Sequence, residues 1–254
     1  MDNNILNSLK NITANLKQDY DIKAIGISTA GIVNSMDGSI KYANHLIPGY
    51  IGTPLKEVLE SEFNLPVYVV NDVQAALLGE MLQESLEDKT FCLTLGTGIG
   101  GAFFCKGSIY NGAHDYENYI GHFSYDPMTK TTWEQRCSTI ALEKRLKELN
   151  GVSVPEAFAA AKTGNKVIKE MIDNWIEEIA KGIANIILLL DPSTIIIGGG
   201  VSKQNDYIFP ILREKLAIYL PDSFLKVNLK TPSSCNDNAL LGALYKVLKN
   251  NDIK

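Results

Sequence analysis

Apolar residues recur along this chain in two rhythms. Between residues 5 and 16, Ile5, Leu6, Leu9, Ile12 and Leu16 return at intervals of three and four, the period of one helix face, and predict a first helix. The longest stripe runs through Val167, Ile168, Met171, Ile172, Trp175, Ile176, Ile179, Ala180, Ile183, Ala184 and Ile187, and predicts a helix packed along its whole length. Further helices are predicted over 73–82, 131–149, near 206–219 and from about residue 236. In the second of these, Thr131 and Glu134 have capping-box spacing, Glu143 and Lys147 pair one turn apart, and Gly151 follows the end. Short apolar runs without alternation, at 22–28, 66–70, 90–95 and 194–197, predict strands covered on both faces, with a further strand near 224–229. Asp37-Gly38 marks a turn between extended segments. Strands alternating with helices indicate the α/β class, and 254 residues fit one large domain or two modest lobes.

Composition narrows the function classes. With 24 basic against 29 acidic residues the net charge is −5 and no window is strongly basic, which argues against nucleic acid and against an anionic membrane as partners. The most apolar run, 182–190, contains Asn185 and stops at Asp191, short of the roughly 18 residues a membrane span requires. No basic segment followed by an apolar core opens the chain, so a cytoplasmic protein is expected. The cysteines, Cys92, Cys105, Cys137 and Cys235, show no Cys-x-x-Cys spacing and are expected to be reduced, packed thiols.

The candidate chemistry lies where predicted strands end. Gly96, Gly98 and Gly101 have G-x-G-x-x-G spacing, but the residues that follow read as strand, turn and strand, whereas a dinucleotide site needs a helix to open there. Such a glycine-rich hairpin is either a backbone cradle for phosphate oxygens or a plain tight turn. Asn71-Asp72, at the C-terminal end of a buried strand and before a helix, is either a ligand-binding position or a helix cap. Gly198-Gly199-Gly200, again after a buried strand, either admits a flat ligand such as adenine or is a simple loop. His122 alone reads more readily as a structural histidine than as a ligand contact, and Glu134 in a first helical turn more readily as a capping residue.

Taken together these segments resemble the ROK family of sugar kinases, within the actin-like ATPase superfamily, from about residue 22 onwards. The resemblance is carried by Gly26-Ile27-Ser28-Thr29-Ala30-Gly31 with the Asp37-Gly38 turn, Asn71-Asp72 with Ala75-Ala76 and Gly79-Glu80, and Leu95 to Gly101. It continues through Ile120-Gly121-His122, Trp133-Glu134 and Ile196 to Val201. It implies a two-lobed actin-like (ribonuclease H-like) ATPase fold, with 1–89 as an incomplete N-terminal lobe completed by a helix over 237–254. Residues 90–236 then form a C-terminal nucleotide- and sugar-binding lobe. It further implies ATP-dependent phosphorylation of a hexose or hexoside hydroxyl, with Asp72 as the general base. Gly31, Asn44, Asn71, His122 and Glu134 are the implied sugar contacts beside Asp72. Gly96, Thr97 and Gly98 are the implied phosphate loop, facing Asp72 across a cleft, and Gly198, Gly199 and Gly200 the adenosine-contacting turn. ATP with its Mg²⁺, a hexose or β-glucoside, and a second copy in a homodimer are the expected partners; no protein-held metal is expected.

The chain departs from the family pattern in three places. The family's Asp-x-Gly-Gly-Thr hairpin does not occur in this sequence, so the N-terminal lobe is expected to be truncated. Tyr119 stands where the family has a sugar-binding glutamate, before Gly121-His122. The cysteine cluster that binds zinc in many members is missing, so no structural zinc is expected and the chain resembles the zinc-free β-glucoside kinase-like branch. A protein derived from an ATP-dependent sugar kinase, its turnover left open by the missing hairpin, is the leading expectation. A catalytically silent sugar- or partner-binding relative is the alternative.

Overall fold

The first predicted helix forms as α1 (Ile5–Asp19), and its residues Ile5, Leu6 and Leu9 pack against a small core. Ile12 and Leu16, on the same predicted face, instead remain 55% and 45% exposed. The computed structural model describes residues 5–44, 47–117, 119–149, 151–234 and 237–251. After α1 come β1 (Ile25–Thr29), β2 (Ile32–Val33), β3 (Ile40–Tyr42), α2 (Leu55–Phe63), β4 (Val67–Asn71) and α3 (Asp72–Gln83). The chain continues through β5 (Thr90–Leu95), β6 (Ile99–Cys105), β7 (Ser108–Ile109), α4 (Trp133–Cys137), α5 (Thr139–Leu149), α6 (Val154–Lys162) and α7 (Lys166–Leu190). It ends with β8 (Thr194–Gly198), α8 (Asn205–Tyr219), β9 (Asn228–Lys230) and α9 (Asn238–Asn251). Among the described residues no helix is long and apolar enough to cross a membrane.

Two compact units result. One comprises Met1–Leu86, Asn111–Asn118 and Asn236–Lys254, the other Glu87–Tyr110 and Tyr119–Cys235. The expected division at residue 90 differs from this by a few residues at its boundaries and in one whole stretch. Residues 111–117 belong with the first unit because Lys41 Nζ donates to Asp115 at 2.7 Å and Gln74 Nε2 to Glu117 at 2.5 Å.

In the first unit β1 and β4 pair in parallel, from Ile25 opposite Val67 to Thr29 opposite Asn71, so that both strands end at the same level. The turn at Asp37-Gly38 closes a short antiparallel pair, β2 with β3. Ile27, Ile40, Tyr50, Leu55, Leu59 and Val67 form the core. Helix α9 crosses α3 and β1 at distances only glycine permits. A Cβ on Gly242 would overlap the backbone of Ala75, and one on Gly26 would lie 2.7 Å from the Ala243 carbonyl. At the start of α9 the buried Asn238 donates to the buried Glu80 and accepts from Gln83 Nε2, so the polar groups at this crossing satisfy one another.

In the second unit five strands lie in the order β7-β6-β5-β8-β9, with β5, β8 and β9 parallel and the β6–β7 edge antiparallel. The glycine-rich segment after β5 is therefore a hairpin turn between antiparallel strands, as its sequence indicates. Helix α7 buries Ile168, Ile172, Trp175, Ile176, Ile179, Ala180, Ile183 and Ile187, while Val167 of the predicted stripe is exposed. Each fully buried isoleucine contributes about 1.5–3 kcal/mol, so this face is a large part of the unit's core. The predicted helix over 131–149 is two helices, broken at Ser138, whose backbone is extended (φ −61°, ψ 159°). The cap is displaced by one residue: Thr132 accepts from the Gln135 N–H and Gln135 accepts from the Thr132 N–H. The predicted strand near 224–229 begins only at Asn228, after a 3-10 turn at Asp222–Phe224.

The α3–α9 crossing makes a direct prediction. Gly242→Val places methyls into the Ala75 backbone and is expected to destabilise by about 3 kcal/mol, the upper range for overpacking. A lowered urea midpoint at unchanged m-value would show it, and a wild-type midpoint would contradict the crossing.

Candidate functional site

Strand β4 delivers Asn71 and Asp72 to the start of α3, and Asn71 fills two roles at once. Its carboxamide oxygen caps the helix, accepting from the N–H groups of Val73 (2.9 Å) and Gln74 (3.2 Å). Its amide donates to the Gly31 carbonyl and to Asp72 Oδ1, both at 2.9 Å. The cap and the orienting contact are thus made by one side chain. Gly31 sits at φ +96°, and a Cβ there would lie 2.5 Å from the Tyr42 carbonyl, so this position admits glycine alone.

Asp72 also accepts from the Val73 N–H at 2.9 Å through Oδ1, which leaves Oδ2 without a hydrogen bond among the described residues. The side chain keeps accessible surface although protein crowds it. That crowding pushes its carboxyl above the ordinary value, against the opposing pull of the Val73 and Asn71 hydrogen bonds. Asn44, two residues beyond β3, is exposed.

Three expected residues, Gly31, Asn71 and Asp72, are therefore joined by direct contacts. A small polar cavity of about 160 Å³ borders Asn71 and Gln74 and is also lined by Asn111, Asp115 and Glu117.

The second unit carries the glycine segments at neighbouring strand ends. β5 and β8 are adjacent and parallel, with Thr94 opposite Gly198, so Gly96–Gly98 and Gly198–Gly200 leave the same edge of the sheet. In open α/β sheets ligands bind at such carboxyl ends. Gly199, at φ +97°, lies so close to Leu95 that a Cβ would strike its backbone. Gly96 and Gly200 differ: neither has a positive φ, and a Cβ on either would meet nothing within 4 Å. No contact within the protein requires glycine at these two positions.

Glu134 does not cap α4. Its Oε2 accepts from the Ile99 N–H at 2.8 Å, beside the glycine turn. Cβ atoms on Gly98 and Gly121 would lie 2.5 and 2.8 Å from that same oxygen, so both residues are glycines because the carboxylate occupies the space. His122 is exposed and stacks on Tyr119 at 4.6 Å with the rings 29° apart. Glu134 thus brings Gly98 of the expected phosphate loop together with the Gly121-His122 turn.

Among the described residues no group of three or more His, Cys, Asp or Glu side chains is placed to hold a metal ion. Cys92 and Cys137 are buried and Cys105 is half-buried, all as free thiols, and burial pushes the Cys137 thiol up to about 12. Cys235 lies outside the described residues.

Glu117 has no counterpart in the sequence reading. Its Oε1 accepts from Gln74, while its Oε2 is enclosed with no hydrogen-bond partner among the described residues. Burial, and secondarily the charge of Asp115, raises its carboxyl to about 7, and the nearby Lys41 is already engaged by Asp115. Between its ordinary value near 4.5 and about 7, the folded chain holds a proton that the unfolded chain has released. Its contribution to stability is therefore present at low pH and is lost as pH rises through this window. Glu117→Gln is expected to flatten the fall in Tm between about pH 5 and 8 and to exceed wild type at pH 8. Parallel thermal melts of the two proteins would deny the enclosed carboxyl.

Comparison with known proteins gives the same picture over nearly the whole chain. Residues 1–250 match the ROK family. A β-glucoside kinase from Listeria monocytogenes is 31% identical over 246 residues, which cover 92% of this chain and 82% of that protein. Among solved structures, a ROK family protein from Streptococcus pneumoniae in complex with sucrose superposes with a TM-score of 0.84 at 25% identity, covering 99% of this chain and 89% of that one. A ROK family glucokinase from Streptomyces griseus in complex with glucose and AMPPNP superposes with a TM-score of 0.75 at 25% identity, covering 94% and 86%. The fold is accordingly that of the actin-like ATPases, and the chain belongs to the ROK family.

Proposed function

We propose that this chain phosphorylates a hydroxyl of a hexose or β-glucoside with ATP, Asp72 acting as the base. The observation that carries the reading is the state of Asp72: one carboxylate oxygen is fixed by Asn71 and the Val73 N–H, the other has no partner among the described residues, and the residue is exposed, so that a hydroxyl can reach it. A base so held can take the hydroxyl proton as the sugar oxygen bonds to the γ-phosphorus and the bond to the β,γ-bridging oxygen breaks, releasing ADP. Phosphoryl transfer depends on positioning and charge stabilisation more than on covalent help from the protein.

Gly31, Asn44, His122 and Glu134 suit the recognition of ring hydroxyls, being carbonyl, carboxamide, imidazole and carboxylate groups, whereas Asn71, its own carboxamide fully engaged, orients Asp72. Gly96–Gly98 suit phosphate oxygens, and Gly198–Gly200 suit the adenosine. Gly96 and Gly200 support this assignment because their missing side chains serve no contact inside the protein. Mg²⁺ would arrive on the nucleotide phosphates and supply charge neutralisation there. The relatives named as β-glucoside kinase and glucokinase support the substrate class. A cytoplasmic, homodimeric enzyme remains part of the proposal.

One observation favours a second reading. The sequence given contains no Asp-x-Gly-Gly-Thr, and a silent sugar-binding protein would have no need of one.

ADP release with MgATP and a panel of hexoses and β-glucosides separates the two. Sugar-dependent release that falls by a factor of about 10² or more in Asp72→Asn, with KM for ATP little changed, is expected for the kinase. No release above the Asp72→Asn background, from folded protein, would establish the silent binder. The acid limb of the kcat/KM profile should lie above the range of an ordinary aspartate, because ionisation of a raised Asp72 controls it. Gly96→Ala is expected to leave Tm unchanged and to raise KM for ATP, whereas a tight turn without ligand would give wild-type kinetics.

A further inference from the structure

The segment Tyr119 to Phe123 makes one 3-10 turn, Ile120–His122 with a residue on either side. Side chains three apart eclipse in such a turn, so Ile120 falls beside Phe123 and Tyr119 beside His122. The first pair faces the core. A Cβ on Gly101 of β6 would lie 2.7 Å from Ile120 Cδ1, and the Phe123 ring meets Trp133 edge-on with centroids 6.1 Å apart. The Phe123 N–H donates to the Ile120 carbonyl at 2.9 Å, and the Phe123 carbonyl accepts from the Trp133 N–H at 3.1 Å. The backbone of the turn is thus fixed without help from the second pair.

Tyr119 is half-buried and His122 exposed, and their rings stack at 4.6 Å, 29° apart. Among the described residues the imidazole of His122 makes no hydrogen bond and no ion pair. Its plane is therefore set by the stack. Between the two residues Gly121 is buried, and Glu134 Oε2 fills the space its side chain would take, so the carboxylate lies beside the same turn. Glu134 Oε1 accepts no hydrogen bond among the described residues.

An exposed side chain that must be frozen on a ligand lowers affinity by a factor of about 2 to 10. Stacking on a half-buried ring removes part of that cost beforehand, and it leaves the ring edge open, where a neutral imidazole offers one donor and one acceptor. We propose that Tyr119 is a positioning residue for the sugar, its ring holding the His122 imidazole in the orientation in which a ring nitrogen meets one hydroxyl of the acceptor. The inference rests on the kinase reading given above, in which His122 touches the sugar, and adds what keeps it in place. The flat ring of Tyr119 carries the effect, and its hydroxyl does not.

The test needs no nucleotide. Calorimetry would measure binding of glucose and its monodeoxy analogues to wild type, His122→Ala, Tyr119→Phe and Tyr119→Leu. Wild type is expected to bind one analogue about tenfold more weakly than glucose, and His122→Ala to bind glucose and that analogue alike, which identifies the hydroxyl. Tyr119→Phe keeps both the affinity and the discrimination. Tyr119→Leu is expected to weaken glucose by about 3 to 10-fold and to lose most of the discrimination, with KM for glucose raised and kcat little changed in turnover. His122 is one of three histidines, so His122→Ala assigns its ring-proton resonances. The ring current of Tyr119 moves them upfield in wild type and in Tyr119→Phe, and releases them in Tyr119→Leu. Thermal melts confirm that each variant is folded, and Tyr119→Gln replaces Tyr119→Leu where the latter is not.

Wild-type affinity and discrimination in Tyr119→Leu overturn the proposal. So does an equal loss in Tyr119→Phe, which would assign the effect to the hydroxyl, and so do unshifted His122 resonances in wild type. Wild type that binds no sugar removes the kinase reading and this inference together. Wild type that binds glucose as tightly as His122→Ala does removes this inference and leaves Asp72 and the kinase reading in place.

Discussion

The seating of Trp133 over Gly182 is the contact on which the second unit's site depends. Helix α7 is long and buried along one face, and Gly182 is the place on it where a large ring can lie against the backbone. The indole fixes α4, a helix of only five residues that would be marginal alone, and with it the direction in which Glu134 leaves the backbone. Glu134 in turn fixes the start of β6, and the glycine turn follows. A hydrophobic contact some residues away from any ligand thus sets the geometry of a polar site, an arrangement suited to preorganised binding groups.

The elements most legible in the sequence are those whose burial is uniform. Strands β5 and β8 are continuous apolar runs because both faces are covered, and α7 repeats its apolar residues because one face is buried over seven turns. The elements misread are those decided by one local contact. The chain breaks at Ser138 because Thr139 turns to hold the carbonyls of Leu95 and Gly96, a tertiary demand that helix propensity does not register. Helix α6 carried its own signal, Ser153 and Glu156 in a reciprocal capping box, and α2 carried only a short apolar repeat, Leu55 and Leu59. Ile12 and Leu16 have the right period on α1, yet no face among the described residues covers them.

The site was legible where residue type and strand end coincide. Asn71-Asp72 and the glycine turns could be placed from the order of strands and loops, while cap and orienting contact, separable on paper, are one side chain in the fold. Glu134 was legible as a first-turn acid but not as a contact of the Ile99 N–H, because that contact joins residues 35 apart in sequence. Glu117 gave no signal: it stands in a polar segment without periodicity, and its significance comes from enclosure and from Gln74, a partner 43 residues away. Neither property can be read from neighbouring residues.

Two sets of glycines in this chain contrast, and the contrast bears on function. Gly31, Gly98, Gly121, Gly182, Gly199 and Gly242 are glycines because a neighbour occupies the space of a side chain. Selection for the fold alone accounts for each of them. Gly96 and Gly200 are subject to no such demand, since their backbone conformations suit any residue and their surroundings are open. Leaving a turn without a side chain costs conformational entropy and returns nothing within the protein. On the proposed reading the return comes from a nucleotide that approaches the backbone closely. Their position at the carboxyl ends of two neighbouring parallel strands is where such a ligand meets backbone N–H groups at short range.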